Sequence, residues 1–114
     1  MSKGDYIKTD RLGFPYNGKY PPKGDRLGLY HGYSSDVEET LLYDFAVQGY
    51  DLTFIYKGER YCFLSAADHV AHCDDRYTVE YETFPDANTA LEQFRIDGRP
   101  IIELIGELED VEPV

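Results

Sequence analysis

No run of apolar residues in this 114-residue chain approaches the roughly 18 that a membrane-spanning helix requires. The first thirty residues are polar and rich in Gly and Tyr, unlike a secretory signal. These absences point to a cytoplasmic protein with no membrane partner. Cysteine is scarce too. Cys62 and Cys73 are too few for a disulfide framework, and in a reducing compartment both stay thiols that pack as small apolar residues. Signatures of catalysis are missing: there is no G-x-S-x-G elbow, no Walker-type phosphate loop, no G-x-G-x-x-G and no H-E-x-x-H. With no template for a reaction, the expectation is a protein that is not an enzyme and needs no cofactor.

Positive charge is the next shortage, and it is unevenly distributed. Lys and Arg number 11 against 22 Asp and Glu, for a net charge of -11. Residues 1–35 carry six cations against three acids, a net of +3, whereas residues 36–114 carry five against nineteen, a net of -14. The chain divides on this basis into a basic arm rich in Gly, Tyr and Pro (1–35) and an acidic body (36–114). Apolar residues make up 42% of the whole, enough to offset the entropy of ordering one domain of this length.

Within the arm, Asp10-Arg11-Leu12-Gly13 recurs as Asp25-Arg26-Leu27-Gly28. Two short copies broken by Pro15, Pro21 and Pro22 suit paired turns rather than a solenoid. Such an arm is expected to lie with its tyrosines against the body. The alternative, a stacking surface for a phosphate backbone, is opposed by the adjacent acidic charge, so direct nucleic-acid binding is not expected.

The body reads as α+β, an antiparallel meander of three to four strands packed with three helices. A first helix over 36–48 begins at Ser35 with Glu38 as its capping-box partner, buries Val37, Leu41, Leu42 and Phe45, and ends at Gly49. Tyr50 to Ser65 reads as a hairpin turning at Lys57-Gly58-Glu59, followed by strands near 68–73 and 77–83 separated by Asp74-Asp75. Asp86 caps a short helix carrying Ala87, Ala90, Leu91 and Phe94. Asp97-Gly98-Arg99-Pro100 then turns into a last helix with Ile101, Ile102, Leu104, Ile105 and Leu108 buried, and residues 109–114 fray.

Two constellations could carry function. Cys62, Asp68, His69, His72 and Cys73 gather zinc-type donors, yet on a strand His69 and Cys73 share one face while Asp68 and His72 share the other. No metal site is expected from that spacing, and a metal or enzymatic centre at Cys62, His69, His72 and Cys73 stands as the alternative. The second constellation is acidic. Glu80 and Glu82 alternate on one strand face beside Tyr77 and Tyr81; Glu103 and Glu107 are one helical turn apart, and Glu107, Glu109 and Asp110 crowd the end of the last helix, where negative charge opposes the dipole. These eight residues are the candidate contacts for a basic protein partner, steered by charge and anchored by the tyrosines.

The segments Phe54-Ile55-Tyr56-Lys57-Gly58-Glu59-Arg60-Tyr61, Phe94-Arg95-Ile96-Asp97-Gly98-Arg99 and Glu103-Leu104-Ile105 resemble small acidic uncharacterised proteins of Gram-positive bacteria and of their phages and mobile elements. The resemblance covers about the last 65 residues and brings no catalytic residue with it. It implies a setting in which small acidic inhibitors are frequent: anti-CRISPR proteins, nuclease inhibitors and immunity proteins. The function expected on both grounds is an acidic protein-binding module, an inhibitor that occupies a basic or nucleic-acid-binding site on its partner. Self-association as a structural domain is a further alternative, and the oligomeric state is open.

Overall fold

A computed structural model describes residues 24–30 and 38–114. The first helix, α1 (Glu38–Ala46), buries Glu39, Leu42, Tyr43 and Phe45. Leu42 and Phe45 are buried as expected, whereas Leu41 is only half-buried and Tyr43 is buried in addition. Ser35, Asp36 and Val37 lie outside the described residues, as do residues 1–23 and 31–34 of the arm. At the far end of α1, Gly49 takes φ +83°, a conformation that suits glycine, and the Tyr50 N–H returns to the Asp44 carbonyl at 3.3 Å.

The hairpin of β1 (Leu52–Tyr56) and β2 (Glu59–Ser65) closes through Lys57 (φ 51°) and Gly58 (φ 80°). Positive φ at both central positions is the type I′ turn whose twist matches paired strands. β3 (Val70–Cys73) and β4 (Glu80–Phe84) continue the meander antiparallel. Asp86 caps α2 (Ala87–Gln93) by accepting the Thr89 N–H at 2.7 Å.

The class is α+β, but the expected layout of three helices and three to four strands is overturned beyond α2. Arg95–Ile96 (β5) and Arg99–Pro100 (β6) form a tiny hairpin about Asp97 (φ 54°) and Gly98 (φ 79°). What read as a third helix is two 3-10 turns, Ile101–Glu103 and Ile105–Glu107, closed by i to i+3 bonds such as Leu104 N–H to the Ile101 carbonyl at 2.8 Å. Residues 109–113 do not fray; they form β7 (Glu109–Pro113) and pair antiparallel with β1. Val111 is buried there, and Asp51 and Val114 exchange two backbone bonds beyond the strand. The result is a five-stranded antiparallel sheet in the order β4-β3-β2-β1-β7, a separate two-stranded sheet and two α-helices.

One sheet face carries Leu52, Phe54, Phe63, Val70 and Phe84 and packs under both helices with Leu91, Phe94, Ile101 and Leu104. At about 1.5–3 kcal/mol for each large side chain fully buried, this cluster is the main source of stability. On the opposite face Thr53, Cys62, Ala71 and Cys73 are buried as well. Residues 24–30 of the arm pack on the body. Leu29 is in the core, the Tyr30 and Tyr43 rings meet at 5.2 Å, and Arg26 pairs with Glu92 at 2.6 Å. The Asp25 carboxylate folds the segment by accepting the Leu29 and Tyr30 N–H groups.

Candidate protein-docking surface

The zinc-type donors end up in three places. Cys62 and Cys73 are directly opposite each other on β2 and β3, and both are buried. The Thr53 hydroxyl lies 3.5 Å from the Cys62 sulfur, and burial beside Cys62 raises the Tyr77 pKa. Burial, with Cys62 and carboxylates nearby, pushes the Cys73 thiol up to about 11, which makes it a poor nucleophile and a poor metal ligand. His72 points to the other face, its ring 4.6 Å from Phe94, 5.4 Å from Phe63 and 5.3 Å from Tyr81. Desolvation among those rings lowers its pKa.

His69 sits in the turn between β2 and β3 rather than on a strand. Its Nδ1 is 2.7 Å from Asp68 and its Nε2 is 2.9 Å from Glu80, so both ring nitrogens meet carboxylates. Those hydrogen bonds, with Asp68 contributing most, raise its pKa and hold the imidazolium form. His69 thus engages Asp68 and Glu80. Among the described residues no group of three or more His, Cys, Asp or Glu side chains is placed to hold a metal ion.

The acidic candidates divide between the two edges of the sheet. Glu80, Tyr81 and Glu82 are on β4, whereas Glu109 and Asp110 are on β7 and Glu107 just precedes it. Four strand spacings of about 4.8 Å put those edges roughly 19 Å apart, so these six residues make two surfaces and not one. Glu80 and Glu82 do not share a face. The register shifts between His72 and Cys73, so that Glu82 partners His72 and Glu80 partners Cys73, whose side chains point oppositely. The extra residue in β4 inverts the simple alternation. Tyr77 is half-buried against Cys62, whereas Tyr81 is 62% exposed.

The argument from a helix dipole at the C-terminal end also falls, because Glu107 lies in a 3-10 turn and Glu109 and Asp110 in a strand. Glu107 pairs with Arg99 at 3.0 Å, and the Glu103 carbonyl accepts from the same guanidinium at 3.1 Å. Glu109 and Asp110 are exposed.

At the foot of β4 an open cleft of about 390 Å³ is lined by Glu59, Arg60, Tyr61, His72, Asp74, Asp75 and Tyr81, with both cysteines at its base. Asp74 shapes this end of the sheet: its carboxylate accepts the Thr78 and Val79 N–H groups and the Thr78 hydroxyl, which holds its pKa low. Val79, next to β4, is 51% exposed and was not among the expected contacts. A lone valine before an acidic strand carries no sequence signal of exposure. Among the described residues, no helix is long and apolar enough to cross a membrane. Comparison with family models, curated proteins and solved structures finds no match.

Proposed function

We propose that this chain is an acidic protein-binding module, an inhibitor that occupies a basic, nucleic-acid-binding site on its partner. The observation that carries this reading is the excess of negative charge on the body. The body has a net charge of -14, and among the described residues Lys or Arg pairs with Glu92, Asp97 and Glu107. Arg60 and Arg95 bond instead to the Thr53 hydroxyl and the Gly98 carbonyl. Among the described residues, most of the exposed body carboxylates outside these pairs, and apart from Asp68 and Glu80 that meet His69, show no Lys or Arg partner. A surface of this kind repels nucleic acid and accelerates encounter with a basic protein, and the acceleration weakens as salt shortens the Debye length.

The test is capture from a bacterial lysate at low and high salt, followed by measurement of association with the purified partner. The reading expects a basic protein whose association rate falls steeply with ionic strength and whose nucleic-acid binding the module blocks. Recovery of no basic protein at low salt would overturn it.

A further inference from the structure

The outer edge of β4 is a second feature with unmet bonding capacity, and it lies beside the exposed aromatic. The Ala66 N–H bonds the His69 carbonyl at 2.9 Å, so the pairs that alternate with it, Leu64 with Ala71 and Cys62 with Cys73, are the bonded pairs of β2 and β3. Ala71 and Cys73 therefore turn their backbones to β2, and Val70 and His72 turn theirs to β4. Phe84 and Glu82 receive those bonds. Thr83 must present its N–H and carbonyl outward. Glu80, opposite Cys73 at the register shift, finds no backbone partner in Cys73, which bonds Cys62, and Tyr81 is the extra residue of the shift, its ring 5.3 Å from His72. β4 is the terminal strand of the sheet, with no strand beyond it among the described residues.

We infer that β4 docks an extended, basic segment of the partner as an added antiparallel or parallel strand, with Val79 and Tyr81 supplying apolar contact. The inference rests on the acidic-module reading and names where and how that module binds. Strand addition takes its affinity from main-chain bonds and its specificity from side chains on alternate positions. Here the specificity is electrostatic. Glu80 and Glu82 lie on opposite faces of the edge, and Asp74 and Asp75 line the cleft at its foot, so a strand bearing Lys or Arg meets carboxylates on either side. A second copy would bring its own acidic edge and be repelled. β7, the other edge, is acidic too but exposes no ring and ends at Pro113, which lacks a donor.

Hydrogen exchange and amide chemical shifts of the full chain, titrated at low salt with a short end-blocked peptide alternating Lys and Val, test the inference. It expects the Thr83 amide to be unprotected in the free protein and protected on binding. Thr83→Pro, which removes an outward donor and spares the ladder bonds to β3, should weaken binding about tenfold. Tyr81→Ala should weaken it without altering the fold. Protection confined to β7, or a peptide that binds nowhere, would overturn the docking edge. The acidic-module reading is judged separately by the captured partner, and it stands if that partner binds equally well to the Thr83→Pro protein, an outcome that again overturns the edge. A dimer of this chain protected at Thr83 would overturn it as well.

Discussion

Phe94→Ala should be among the most damaging single substitutions in the body. The Phe94 ring is 8% exposed and meets four others: His72 at 4.6 Å, Phe63 at 5.1 Å and 90°, Tyr61 at 6.1 Å and 72°, and Phe84 at 6.3 Å and 84°. It therefore ties α2 to β2, β3 and β4 at once. Truncating a buried Phe to Ala costs about 3–5 kcal/mol through lost transfer energy and the cavity left behind. Edge-to-face pairs add about 0.5–1.5 kcal/mol each beyond buried area, which favours the upper end. The backbone role of Phe94, donating to the Ala90 carbonyl at 2.9 Å and accepting from Ile101, survives the change, so the loss reports on the ring. Against a total of about 5–15 kcal/mol for a domain, the variant keeps a fraction of its stability and melts about 12–20 °C lower. Urea titration measures the difference, with an unchanged slope showing that the native state stays compact. Phe94→Leu, which conserves most of the volume but none of the ring geometry, should lose about 1–2 kcal/mol. A loss below about 1 kcal/mol for the Ala variant at constant slope would refute the ring cluster as the joint between α2 and the sheet.

The two histidines should give stability opposite pH limbs on either side of the ordinary value of 6.5. His69 has a raised folded pKa, so its contribution is complete below about pH 6.5 and lost as pH rises through the folded value. His72 has a lowered one, so the unfolded chain protonates first and stability falls as pH drops from about 6.5. His69→Gln should flatten the upper limb and His72→Phe the lower, as read by melting temperature against pH. Replacing Glu107 and Glu109 by Gln and Asp110 by Asn should change stability by less than about 1 kcal/mol, since the Arg99 pair is exposed and Asn tolerates the φ of 49° at Asp110. The same variant should slow association with a basic partner, measured by stopped flow. Asp86→Ala should cost about 1 kcal/mol in denaturant titration, with loss of the Thr89 N–H contact. Self-association, followed by light scattering, should rise as pH falls toward the pI of about 4.5 and the edge carboxylates discharge.

Elements whose cause is local were legible from the residues alone. The turn at Lys57-Gly58, the cap at Asp86 and the glycine ending α1 each act within a few positions, and they placed β1, β2, α2 and the end of α1. Ile101, Leu104, Ile105 and Leu108 fall at the spacing of one helical face, and the same spacing buries all four in two successive 3-10 turns. Periodicity cannot separate those outcomes. Asp97-Gly98 is a strong hairpin signal, but with Pro100 following it reads equally as the turn into a helix. β7 had no local signal, being short, acidic and closed by Pro113. Its cause is the open edge of β1, some fifty residues earlier in the chain. The surface was less legible than the core. A one-residue register shift moved Glu80 and Glu82 to opposite faces, and half-burial against a cysteine separated Tyr77 from Tyr81.

The two sheet edges explain where the negative charge is best used. Each carries a register shift, between His72 and Cys73 at β4 and between Thr53 and Ile55 at β7, and each carries carboxylates. Bulges and edge charge are the devices by which a sheet avoids pairing with copies of itself. Carboxylates placed for that purpose are selective in what they repel, because they exclude an acidic edge and admit a basic one. The exposed Tyr81 and Val79 at β4 would be a liability on a neutral edge, where any strand could cover them. Under the proposed docking, charge on this edge would shield them from identical chains and leave them open to a partner of opposite sign.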